Sequence, residues 1–153
     1  MLIDVSYFTK GIRQIENASV ADMPSQNSLA VNGAIEDYIT LYQEAFLREV
    51  CGDKTPLIIE SLNTQDSEFQ PLINKLKEPF ADYVFFHILR DVNAQTTITG
   101  LVELKCANKY ISPMRRQVSV WNEMAKKMQS LANEFVELNI SYNLLTPINT
   151  LNL

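Results

Sequence analysis

The sequence predicts a mainly α-helical protein: a small helical bundle with one long C-terminal helix, a short β-hairpin or extended loop near residues 96–105, and an extended C-terminal tail. Three observations predict it. Apolar residues recur at spacings of three and four in three separate stretches, the period of a buried helix face. Only residues 96–105 carry a β pattern, and Pro147 stops any helix before the terminus. With 153 residues, 46% hydrophobic and 20% charged, the chain is composed for one folded domain, 1–153. It divides into an N-terminal arm (1–31), a helical bundle (32–142) and an extended tail (143–153).

In the arm, Leu2, Ile3, Val5, Tyr7 and Phe8 are dense enough to anchor the start, and the small and polar residues that follow predict a loop. The first helix is expected over 33–51, with Ile35, Tyr38, Ile39, Tyr42, Phe46 and Val50 as its apolar stripe. Asn32 would be its N-cap and Gly52 its stop. Pro56 opens a short helix carrying Leu57, Ile58, Ile59 and Leu62. A third helix spans about 68–92, with Pro79 expected to kink or split it. Its segment Phe80–Arg90 is apolar on more than one face and so predicted to be central.

Thr96, Thr97, Ile98 and Thr99 favour strand, Gly100 offers a turn, and Leu101, Val102 and Leu104 resume the apolar pattern. Ser112 and Pro113 then open the longest predicted helix. Met114, Val118, Trp121, Ala125, Met128, Ala132, Phe135 and Leu138 form one seam. Continued to about residue 139, it would be about 40 Å long at 1.5 Å per residue.

Chemistry-bearing motifs are scarce. The four glycines form no GxGxxG and no phosphate loop, and there is no GxSxG elbow. A nucleophile triad would need the single histidine, His87, which lies in an apolar helix where a packed core or boundary role is expected. With no CxxC and no HxxxH, zinc has few ligands to draw on, and Cys51 and Cys106 read as buried thiols. No catalytic residue, metal ligand or cofactor is expected. No apolar run approaches the ~20 residues of a membrane span, and the N-terminus lacks the features of a secretory signal, which predicts a chain made in a cytoplasm.

Charge is unevenly spread. Residues 105–127 hold Lys105, Lys109, Arg115, Arg116, Lys126 and Lys127 against Glu123, so this segment is +5 and the rest of the chain −10, for a net −5. Arg115 and Arg116 open a helix, where cations oppose the dipole. With Lys126 and Lys127 they are the candidate face for an acidic partner or for passing nucleic acid. Residues 138–153 carry no charged side chain. Two apolar segments look unable to stand alone: the hairpin (Ile98, Leu101, Val102, Leu104) and the tail (Leu144, Leu145, Ile148, Leu151, Leu153). Each either folds back on its own core or docks on a neighbouring chain.

Five blocks, in this order and spacing, resemble the head–tail connector (adaptor, or head-completion) proteins of tailed bacteriophages and prophages. They are YFTKGIRQIENAS, AIEDYITLYQEAFLREVCG, FADYVFFHILRD, the TxTGxV element at 97–102, and SPMRRQVSVWNEM. The resemblance implies a helical structural protein of the virion, made in the host cytoplasm and placed at the head–tail junction. It implies a ring of identical copies, dodecameric in that family, beneath the portal protein. Such a ring extends the DNA channel and gives a tail or stopper protein its docking surface; DNA passes without specific recognition, and no catalytic residues carry over. Two other classes stay open: a small helical regulator or DNA-binding module, and a small enzyme whose site the sequence does not reveal.

Overall fold

A computed structural model describes residues 1–64, 67–92, 94–97, 100–103, 113–141, 143 and 145–149, with 94–97, 100–103 and 113 given by backbone alone. The N-terminus is anchored as expected. Asp4 caps a 3₁₀ turn, Val5–Phe8, by accepting the Ser6 N–H at 2.9 Å. Leu2, Ile3, Val5 and Phe8 are buried, and the Leu2 N–H donates to Gln43 Oε1 at 2.5 Å. A second 3₁₀ turn, Gly11–Arg13, follows.

Helix α1, Gln26–Cys51, starts well before the predicted residue 33. Ser25 is its cap, accepting the Ser28 N–H at 3.1 Å. Asn32 is therefore inside the helix, where its amide fixes the incoming loop by accepting from Ser19 N–H at 3.1 Å and donating to Ser19 O at 2.7 Å. The extra turns are mostly exposed and so carry no apolar stripe to announce them. The predicted stripe is otherwise sound: Ile35, Ile39, Phe46 and Val50 are buried, with Tyr38 and Tyr42 packed at its margin.

Helix α2, Thr55–Ser61, has Pro56 in its first turn. It is tied to α1 by the Thr55 hydroxyl, which donates to Leu47 O at 3.0 Å and to Gly52 O at 2.7 Å. Helix α3, Gln70–Val92, is central, and Phe80 through Phe85, His87 and Ile88 are all buried. Pro79 lies inside α3 without splitting it. The proline removes one backbone bond, but it is itself buried beside Leu76 and Phe80, where packing holds the helix together.

Strands β1, Ala94–Thr97, and β2, Gly100–Glu103, pair antiparallel with Thr97 opposite Gly100 and Ala94 opposite Glu103. Gly100 thus belongs to the ladder rather than to the turn. Helix α4, Pro113–Gln129, packs along α3 more extensively than α1 does. The predicted single helix to residue 139 is broken at Ser130 and Leu131, and α5, Ala132–Glu137, follows. At the break the Ser130 hydroxyl donates to Lys127 O at 2.6 Å and Leu131 N–H donates to Met128 O at 3.0 Å, a tightened turn in place of α-helical bonding. The seam survives the break. Val118, Ala125, Met128 and Phe135 are buried, joined by Val120, Met124 and Leu131, whereas Met114 is 57% exposed.

Candidate interaction site

Asp82 is the most deeply buried charge of the described residues, with 1% of its side chain exposed. It lies on α3 between two cations. Arg13 Nη1 donates to Asp82 Oδ1 at 2.6 Å, and Lys127 Nζ donates to Oδ2 at 2.5 Å. Glu78, one turn earlier, accepts from Arg13 at 2.7 Å and lies 3.8 Å from Lys127. Burial alone would lower the Arg13 pKa, but its bonds to Asp82 and Glu78 outweigh that and raise it. This cluster pins the N-terminal segment to α3 and α4. A carboxylate inside a block apolar on more than one face has to be paired, and that was the signal the sequence offered for it.

The four predicted basic residues therefore separate. Lys127 is withdrawn from the expected channel or acidic-partner face, because Asp82 and Glu78 hold it within the fold. The Arg116 guanidinium lies 5.3 Å from the Phe85 ring centroid, and its Nη2 donates to Ile12 O at 3.2 Å, so part of its dipole cost is recovered inside the chain. Arg115 and Lys126 are exposed.

The tail also divides. Leu145 is 4% exposed and belongs to the core, which corrects its assignment as a docking residue for a neighbouring chain. Ile148 is 37% exposed but held through its backbone. Asn122 Nδ2 donates to Ile148 O at 3.1 Å, and Asn122 Oδ1 accepts the Ile148 N–H at 2.7 Å. Next to it, the Trp121 indole N–H donates to Thr146 O at 2.8 Å. The Trp121 ring itself rests on Phe86 and Tyr83, with centroids 5.0 and 6.2 Å away. Sequence periodicity found Trp121 as a seam residue but missed its polar edge and missed Asn122 altogether. Leu144, Leu151 and Leu153 lie outside the described residues.

In the hairpin, Leu101 faces Thr96 and Val102 faces Gln95 across the ladder, while Ile98 and Leu104 lie outside the described residues. Among the described residues β1 and β2 pair only with each other. Where α3 leads into the hairpin, a polar–aromatic joint fastens it to α1. Tyr38 Oη donates to Asp91 at 3.0 Å, and Arg90 donates to Tyr42 Oη at 3.0 Å and to Asp91 at 2.9 Å. Burial, then Asp91, pushes Tyr38 up to about 12. His87 stacks on Tyr42 with centroids 3.9 Å apart and planes 8° from parallel. Neither of its ring nitrogens has a hydrogen-bond partner among the described residues. Burial, aided by the nearby Arg90, lowers its pKa to about 4. The expected packed role of His87 holds. Cys51 is likewise a buried thiol, pushed up to about 12 by burial, and Cys106 lies outside the described residues.

An open groove of about 580 Å³ runs between residues 11–16 and α4, lined by Ile12, Gln14, Glu16, Arg116, Val120 and Glu123. Among the described residues no three His, Cys, Asp or Glu side chains are grouped to hold a metal ion, and no helix is long and apolar enough to cross a membrane. No protein-family model, curated protein or solved structure matches the chain.

Proposed function

We propose that this chain is a structural subunit of a tailed-phage virion: a head–tail connector that assembles with copies of itself beneath a portal protein, extends the DNA channel and receives a tail or stopper protein. The observation that carries the reading, beside the sequence blocks that resemble such proteins, is the two-stranded ribbon β1–β2. Two strands alone are marginal in water, and their outer edges pair with no third strand among the described residues. A neighbouring subunit or the portal would complete them. The exposed Arg115 and Lys126 supply positive charge of the kind a surface near passing DNA uses, through phosphate attraction without base recognition.

The test is native mass spectrometry of the chain with and without a tailed-phage portal protein, using the wild type and a variant with polar residues at Ile98, Leu101 and Val102. The wild type is expected to form a ring-sized complex with the portal. The variant should keep its helical circular dichroism and lose that complex. Normal incorporation of the variant would remove the hairpin from the interface, and failure of the wild type to bind any portal would remove the connector reading.

A further inference from the structure

We infer that the hairpin end of α3, residues 86–92, undocks from α1 as a local unit while the rest of the bundle stays folded, and that acid favours the undocked form. His87 carries the inference. It is 9% exposed, and its two ring nitrogens are closed to water and have no hydrogen-bond partner among the described residues. No other buried side chain of the described residues is left so. A neutral imidazole has one donor and one acceptor. The docked joint keeps both dry, a cost in free energy that undocking removes.

Burial fades along this end of the helix. Phe86 and Leu89 are half-buried, Arg90, Asp91 and Val92 are exposed, and only His87 and Ile88 are buried. Segments with few buried contacts open at the lowest free energy. On α1 the joint is held by Tyr38, bonded to Asp91, and by Tyr42, bonded to Arg90 and lying flat against His87. The Arg90 and Asp91 side chains are 51% and 40% exposed, so water competes for their bonds. Deeper in the bundle, Phe46 packs on Phe80 and can keep that contact while the end opens. Acid acts through the groups around the ring: Tyr38 and Tyr42 from α1, and Tyr83, Arg90 and Asp91 from α3. Glu49 of α1 acts on Tyr83, and Trp121 of α4, packed on Tyr83 and Phe86, brings no charge. Burial and then Arg90 oppose an imidazolium, and Asp91 favours it more weakly. A protonated ring holds two N–H donors and a charge that the aromatic box cannot hydrate, so protonation goes with undocking. The ribbon starts at Ala94, so its base moves with this end. The inference stands apart from the connector reading, since it concerns one chain alone.

Amide hydrogen exchange, read by NMR on the full-length chain and corrected for the intrinsic pH dependence of exchange, tests this. At pH 7 the amides of residues 88–91 should be less protected than those of Leu76 and Phe80. From pH 7 to pH 5 their protection should fall roughly 20-fold, the ratio expected for a ring that titrates at 6.5 when undocked and about 4 when docked. His87→Phe should raise their protection at pH 7 and abolish that fall. Tyr38→Phe removes only the hydroxyl bonded to Asp91, and should lower protection of residues 88–91 while sparing Leu76 and Phe80. It and the wild-type pH series decide the matter should His87→Phe fold poorly. Equal protection of residues 88–91 and of Leu76 and Phe80 overturns the inference, because opening is then global. So does protection that is the same at pH 7 and pH 5, because the helix end then frays without exposing His87.

Discussion

Protonating His87 means placing a charge in a ring stacked between Tyr42, Tyr83 and Phe86, with the Arg90 guanidinium nearby and Asp91 only partly offsetting it. Its folded pKa lies near 4, below the 6.5 of the unfolded chain. The unfolded state therefore takes up the proton first as pH falls. The stability that neutral His87 protects is intact above pH 6.5 and is lost as pH falls toward 4. At 1.36 kcal/mol per unit this amounts to about 3 kcal/mol. Asp91 has a lowered pKa, its bonds to Arg90 and Tyr38 outweighing burial, and it acts in the same direction. A His87→Phe variant keeps the aromatic stack and the Asp91 contribution and removes only the imidazole. Urea unfolding at pH 7, 5 and 4 should show the wild type losing about 3 kcal/mol more than His87→Phe across that range. Parallel losses in the two proteins would mean that folded His87 takes up its proton as readily as it does in the unfolded chain. The sequence placed His87 in a packed setting because its neighbours are apolar. It could not show that Tyr42, 45 positions earlier, would be the ring lying flat against it.

Element by element, periodicity was informative wherever a helix buries one face, and silent where it does not. The Ile35–Val50 stripe and the Val118–Phe135 seam were legible because burial imposes the three–four spacing on them. The first turns of α1 and the break at Ser130 were not, since the former are solvated and the latter contains neither glycine nor proline. The α1 stop was legible for a physical reason. Gly52 has φ 51° and ψ −125°, a conformation essentially closed to residues with a Cβ. A Cβ there would also lie 3.2 Å from the Ser141 carbonyl oxygen. Gly52→Ala should therefore cost about 1–3 kcal/mol, on the scale of other strained backbone positions, while leaving helix content unchanged at low temperature. Thermal unfolding followed by circular dichroism measures it. A melting temperature equal to the wild type's would show that the turn relaxes without penalty.

For the molecule as a whole, the bundle was legible in the sequence, and the contacts between distant segments were not. Long-range pairing decides which surface remains free, and no local pattern announces the union of Arg13, Asp82 and Lys127 or the seating of the tail on α4. The tail shows the consequence. As an arm reserved for a partner, its removal would leave the subunit's folding untouched. With Leu145 in the core, Leu145→Ala should cost about 2–5 kcal/mol, the range for truncating a buried leucine. Deleting 143–153 should lower the denaturation midpoint at least as far and shift Trp121 emission to longer wavelength. A truncated chain with unchanged stability and emission would place the tail outside the subunit.

The Asp82 cluster also sets an order of events during synthesis. Its two cations lie 69 residues before and 45 residues after it in the chain. Closing such wide loops takes entropy that local helix formation does not, and topologies rich in distant contacts fold more slowly. On the ribosome, Arg13 and Asp82 are both available long before Lys127 has been made. The nascent chain can thus fasten its first turns to α3 as a provisional contact, with Asp82 only half neutralised and the α4 side of α3 uncovered. Arrival of α4 brings the second cation and the apolar cover together, so the native state is sealed late, by a segment from the last third of the chain.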